Sequence, residues 1–251
     1  MAHCAGQWSG FAPTGTFELV ALVFVAAEAR EFSGLLRRVE DVERPNWPVQ
    51  WIRTAMLNGR RVAFVANGPG PRLAGVAAEE ALKRLERVEA FVSTGFCGAL
   101  DEALNVGDIF VASAVNGEPS STVTEARPPG SGVFRGSLIS QDRVACTVDE
   151  KRALYQTGAA AVEMEAAAVQ RVARDAAVPF YCVRVVSDTA SESLALDFNR
   201  LRDVDGRFSR SRIIAAALRN PMQTFPQLMR LDRDCKRASD ALGDFLAHCR
   251  F

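Results

Sequence analysis

Short apolar runs alternate along this chain with stretches of helical periodicity, and that alternation sets the first expectation of fold. Residues 17–27 (FELVALVFVAA) are almost unbroken apolar sequence with no Lys or Arg before them. A bilayer span needs about 20 apolar residues and a secretory leader has a basic start, so this run predicts a buried first strand. A helix is expected from about Glu28 to Glu40. Residues 49–57 and 60–67 read as strands joined by Asn58-Gly59, a strong hairpin signal. The NGPGP stretch at 67–71 predicts a tight turn. Leu73, Val76, Ala77, Leu82 and Leu85 then predict a helix over 72–87. Short strands follow at 90–94, ending in Gly95-Phe96-Cys97-Gly98, and at 108–115. Residues 118–132, rich in Ser, Thr, Pro and Gly, predict a mobile loop. Strand and turn are expected over 134–146 and helix over 149–157. Glu163, Met164 and Glu165 open the next helix-like run, which Pro179 ends. A strand over 180–186 stops at Ser187 and Asp188. The last 40 residues (212–251) read as two amphipathic runs, broken near Asn220-Pro221 and Phe225-Pro226.

Residues 1–16 look like a flexible N-terminal tail. Residues 17–251 carry no internal repeat or linker, so they read as a single α/β domain with a central mixed β-sheet flanked by helices. At 48% apolar content such a domain has ample core.

Charge and composition exclude several function classes. Lys+Arg and Asp+Glu are both 30, which leaves no net charge to draw nucleic acid or an anionic membrane. The six cysteines, at 4, 97, 146, 182, 235 and 249, have no CxxC spacing, and only Cys4 and Cys249, at the chain ends, stand beside a His. No metal, no cofactor and no disulfide framework is expected; reduced thiols in a cytoplasmic protein are the simpler reading. The two histidines, His3 and His248, lie at the chain ends. That removes Ser-His-Asp and Cys-His catalysis, and carboxylates must move any protons. Ligands of open α/β sheets bind outside the carboxyl ends of strands. Asp188 stands at such an end, with Glu165 as a second acid for the same crevice.

Each motif has a plainer reading. Glycines at 95 and 98 let backbone approach a ligand, or merely make a turn. Asn67-Gly68-Pro69-Gly70 resembles a generic anion-binding turn. Neither fits a phosphate-loop or dinucleotide motif. Glu163 and Glu165, two apart, do not share a helix face, and acids are common at solvated helix N-termini. Asp188 equally reads as a helix N-cap.

Taken in order, these segments resemble the nucleoside phosphorylase/nucleosidase superfamily, and within it the methylthioadenosine/S-adenosylhomocysteine nucleosidase branch. The resemblant stretches are Glu28 and Glu31 after the first strand, Asn67 to Gly70, Ser93 to Leu100, Val106 to Ile109, Ala161 to Ala166 (AVEMEA) and Val183 to Asp188 (VRVVSD). Phe198 falls at the spacing of an aromatic that lines the nucleoside pocket in that family. The resemblance implies a nucleoside phosphorylase-like fold and cleavage of the N-glycosidic bond of a purine nucleoside. It implies that Asp188, kept neutral by its surroundings, protonates purine N7 beside Ser187. Glu165 would hold the ribose hydroxyls, with Met164 against the sugar and Glu163 beside them. Glu31, or Glu28 one turn away, would activate the attacking water. Gly68, Phe96, Cys97, Gly98 and Phe198 complete the expected substrate-binding set.

The chemistry suits two carboxyls in different protonation states, because the sugar turns cationic as the base departs. Related phosphorylases place an Arg and a Ser around the glycine-rich segment to hold phosphate; here Ser93 and Phe96 stand at those positions, which favours water. Arg30 and Arg72 keep phosphorolysis open. The turn ending at Arg72 and the tail from Asn220 resemble the hopanoid-associated nucleosidase subgroup, which implies a large apolar 5′ substituent. A non-catalytic nucleoside-binding relative is the alternative of another class. The family resemblance also implies a homodimer or higher homo-oligomer.

Overall fold

The structure, a computed structural model, describes residues 20–125, 132–194, 196–203, 206–208, 213, 215–216, 218 and 221–251. The expected tail at 1–16 lies outside the described residues.

Apolar runs too continuous for a one-sided sheet become strands covered on both faces. In β1 (Val20–Ala26) Ala21, Val23 and Val25 enter one core, whereas Leu22, Phe24 and Ala26 enter the other. Pleating sends successive side chains to opposite faces, so an all-apolar strand needs cover on both. β2 (Glu40–Glu43) forms the exposed edge. β3 (Trp51–Leu57) and β4 (Arg60–Ala66) form the expected hairpin, with Asn58 and Gly59 at φ 51° and 76°. These left-handed values are what a primed two-residue turn requires.

The remaining strands are β5 (Arg87–Ala99), β6 (Ile109–Val115), β7 (Glu118–Pro119), β8 (Thr124–Glu125), β9 (Val133–Ser140), β10 (Ala161–Glu163), β11 (Phe180–Asp188) and β12 (Cys249–Arg250). The main sheet runs β10-β9-β6-β11-β5-β1-β4-β3-β2. It is mixed: β1, β4, β5 and β11 run parallel, and β6 pairs antiparallel with β11. β10 also pairs antiparallel with the end of β5, through Ala161–Ala99 and Val162–Gly98. That second pairing curls one half of the sheet into a closed ring and brings three strand ends together.

Helices α2 (Pro71–Arg84) and α4 (Ala166–Asp175) cover one face. Helices α1 (Ser33–Leu36) and α5 (Pro221–Ala247) cover the other through Leu35, Ala238, Leu242 and Leu246. The small α3 (Val148–Tyr155) starts at a Thr147–Glu150 capping box, a reciprocal arrangement that satisfies two orphan N–H groups.

Several expectations need correction. The helix from 28 to 40 is only a 3₁₀ turn (Ala29–Phe32) and α1; Gly34 and the return to an edge strand at Glu40 leave no room for more. β5 does not stop at Thr94 but runs through the glycines to Ala99, because parallel pairing with β11 continues past them. Glu163 ends a strand rather than opening a helix, and α4 begins only at Ala166. Residues 118–132 include the short strands β7 and β8, with 126–131 outside the described residues. α5 is continuous through Pro226. Pro221 opens it, where a missing N–H costs little.

Candidate active site

Glu31 is placed by the 3₁₀ turn after β1, held by a capping box with Glu28. Its carboxylate accepts from the backbone N–H of Glu28 at 2.7 Å and of Phe96 at 2.9 Å. The second bond is possible because residue 95 is glycine. A Cβ there would lie 2.5 Å from Glu31 Oε1, and the backbone has φ +121°. Glu28 is less buried and is paired with Arg30 at 2.7 Å.

Glu163 leaves β10 and turns back onto the N-terminus of α4, accepting from the N–H groups of Glu165 at 2.8 Å and Ala166 at 3.0 Å. Glu165 points the other way, as their non-helical spacing predicts, and accepts from Gly70 N–H at 2.8 Å.

Arg184, on β11 and wholly buried, sits among these acids. It donates to Ser93 Oγ and Thr94 O, both at 2.7 Å, pairs with Glu163, and stands 3.7 Å from Glu165. Two buried carboxylates thus pair with one guanidinium, and the Glu31 charge acts on it from farther off. Burial pushes the Glu165 carboxyl up to about 8, helped by the Glu163 charge and opposed by Arg184. Burial also raises Glu31 against the pull of its two backbone N–H groups. Burial works to lower Arg184, but Glu163 and the other acids outweigh it and hold the guanidinium firmly charged.

Asp188 ends β11. Ser187 Oγ lies 2.7 Å from its Oδ1, and Lys151 Nζ donates to its Oδ2 at 2.6 Å. Its immediate neighbours are thus a hydroxyl and an ammonium. The side chain is 13% exposed.

One cavity of about 190 Å³ collects these groups. Glu28, Glu31, Phe96, Cys97, Gly98, Glu163, Met164, Glu165, Ser187, Asp188 and Phe198 all line it. Gly68 does not; it lies in the turn below, where its N–H bonds Ala27 O at 2.9 Å. The neighbouring Gly70, which holds Glu165, carries that turn's link to the site. Sequence reasoning also missed the cavity's apolar side, from Leu194, Phe208, Leu231 and Cys235. It missed Lys151, for which no local signal exists. Arg184 was visible within VRVVSD but not its role. Burial pushes the Cys97 thiol well up and the Cys235 thiol to about 11, so neither is poised as a nucleophile. Among the described residues no group of three His, Cys, Asp or Glu could hold a metal.

A mixed sheet curled at one end, with acids gathered where its strands finish, defines a nucleoside phosphorylase-like fold. The chain matches the Phosphorylase superfamily over residues 20–137 and 130–219 and belongs to it. Among solved structures it is similar to the 5′-methylthioadenosine/S-adenosylhomocysteine nucleosidase of Neisseria meningitidis in complex with methylthio-immucillin-A. Identity there is 19%, with a TM-score of 0.65 over 91% of this chain and 97% of that one. It is similar to the S-adenosylhomocysteine nucleosidase of Streptococcus pyogenes at 20% identity and TM-score 0.65, over 93% and 98%. The futalosine hydrolase of Helicobacter pylori is 16% identical with TM-score 0.65, over 91% and 96%.

Proposed function

We propose that this protein hydrolyses the N-glycosidic bond of a purine nucleoside. One observation carries the proposal: Asp188, Glu165 and Glu31, from three separate elements, line a single cavity. Asp188 in its acid form gives a proton to N7 as the C1′–N9 bond breaks and its electron pair passes to the base. Glu165 accepts hydrogen bonds from the ribose hydroxyls, and Met164 packs against the sugar. A water oxygen bonds to C1′ and gives up a proton to Glu31. The products are free base and free sugar, and the two carboxyls recover their starting forms by exchange with solvent. The charge of Glu31 is worth most as the sugar cation develops, whereas Glu165, its carboxyl pushed up to about 8, contributes hydrogen bonds. Glu31 is favoured over Glu28 because it is buried and anchored at both oxygens, whereas Glu28 is engaged with Arg30.

Water is favoured over phosphate by the state of Ser93, which is buried and already bonded to Arg184 at 2.7 Å. The half-buried Phe96 lies under the Arg30 guanidinium, 5.8 Å from its ring centroid, rather than offering a donor. The apolar wall of Leu194, Phe198, Phe208 and Leu231 supports an apolar 5′ substituent. The similar structures named above as nucleosidases and a hydrolase support the same reaction type.

The test is adenine release from adenosine, 5′-methylthioadenosine and a 5′-alkyl adenosine, each with and without phosphate. Release independent of phosphate is expected. Release only with phosphate makes the protein a phosphorylase, and no release from any purine nucleoside leaves a binding protein. Asp188→Asn is expected to lower kcat by about 10²- to 10⁴-fold, the usual range for a lost general acid, while ligand affinity is largely kept.

A further inference from the structure

We propose that Lys151 is a positioning residue for Asp188, setting the carboxyl at the angle from which it serves the leaving base. This inference rests on the hydrolytic reading above. Lys151 is 0% exposed on a helix that is otherwise largely polar and accessible. A buried ammonium needs partners for its three donors, and here all three are used. Nζ donates to Asp188 Oδ2 at 2.6 Å, to Thr189 O at 2.6 Å and to Glu192 O at 3.0 Å.

The tripod ties the carboxyl to the backbone of the segment that follows β11. That segment is itself fixed: Leu194 N–H bonds Cys146 O at 2.8 Å, and Val148 N–H bonds Ser193 Oγ at 3.2 Å. Lys151 also sits on a stiff base, since the Thr147–Glu150 box locks the first turn of α3. With Ser187 Oγ 2.7 Å from Oδ1, both carboxyl oxygens are held. Opposite, Gly98 leaves room: a Cβ there would come within 3.1 Å of Oδ2. Lys151 does not line the cavity and so acts only through Asp188. Its second contribution is electrostatic. When the proton passes to N7, Asp188 turns anionic, and the ammonium 2.6 Å from its Oδ2 offsets that charge.

The role differs from simple support in which substrates feel it. A purine needs protonation to leave, whereas 4-nitrophenolate leaves without it. In Lys151→Met, kcat for 5′-methylthioadenosine is expected to fall about 10²-fold, the scale of a misaligned reacting group, with KM little changed. Hydrolysis of 4-nitrophenyl β-riboside is expected to stay within a few-fold of wild type. Lys151→Met and Asp188→Asn together are expected to cost little more than Asp188→Asn alone, as residues acting as one unit do. Lys151→Arg, which keeps the charge, should recover part of the rate. If Lys151→Met does not fold, Lys151→Gln carries the same comparison. Equal loss on both substrates, additive effects, or no loss at all overturns the inference. Failure of the hydrolytic reading looks different: wild type itself would release no base, or Asp188→Asn would be as fast as wild type.

Discussion

Glu165 carries a measurable signature at the scale of the single residue. Its carboxyl is pushed from the usual 4.5 to about 8 in the fold, chiefly by burial. The folded state therefore keeps a proton that the unfolded chain releases above about pH 4.5. The stability this provides is fully present below the unfolded value and is lost as pH rises through the folded one. Thermal midpoints are expected to fall between about pH 4.5 and 8, and Glu165→Gln should flatten that slope. A variant with an unchanged pH profile would rule out the buried Glu165 carboxyl as its cause. At this scale the residue types were legible. With His3 and His248 at the ends, carboxylates were the remaining proton carriers, and AVEMEA and VRVVSD supplied three of them. Their partners were not legible: Lys151 is 37 residues from Asp188, and Arg184 is 21 from Glu163. No local periodicity records a contact at that range.

Among elements, α1 and α5 cross so closely that glycines at the crossing have no room for a side chain. A Cβ on Gly34 would lie 2.0 Å from Ser239 O, and one on Gly243 would lie 2.2 Å from the Gly34 carbonyl carbon. Ser239 Oγ also stands 2.9 Å from Ser33 Oγ and accepts from Gly34 N–H at 3.3 Å. Backbone cannot yield as a side-chain tip does. Gly243→Ala is expected to cost about 1–3 kcal/mol or more, the range for overpacking, read as a lowered urea midpoint at unchanged m-value. Because this crossing sits beside the 3₁₀ turn that carries Glu31, activity should fall as well. The Asn58-Gly59 hairpin was legible because its turn chemistry is local. The extent of β5 was not, since glycines that signal a turn in isolation are held extended by β11 on one side and β10 at the end. Pro226 misled for a related reason: tertiary packing of the rest of α5 outweighs one missing helical bond.

For the molecule as a whole, two cores on opposite faces share one sheet. Trp47 packs against the core under α2 and α4, and Trp51 against the core under α1 and α5. Strands β1 and β4 contribute alternate residues to both, so neither core survives the loss of the other. In a Trp8→Phe background, Trp47→Phe and Trp51→Phe are expected to show fluorescence melts that coincide after correction for each variant's stability. Separate midpoints would mean that the faces unfold independently. Closure of the β10–β5 pair also belongs to this scale, because it brings the ends of β5, β10 and β11 to one cavity.

The sequence by itself determined that the long apolar runs would be buried strands, where the hairpin turned, and that acids rather than an internal histidine were available for chemistry. All three follow from residue type and near-neighbour spacing. Tertiary structure alone decided that Glu31, Glu165 and Asp188 face one cavity, that Arg184 stands among the acids, and that Lys151 grips Asp188. Such meetings depend on strand order, register and curl, and these arise from burying two faces of a sheet at once, a condition on the whole chain that no short window contains.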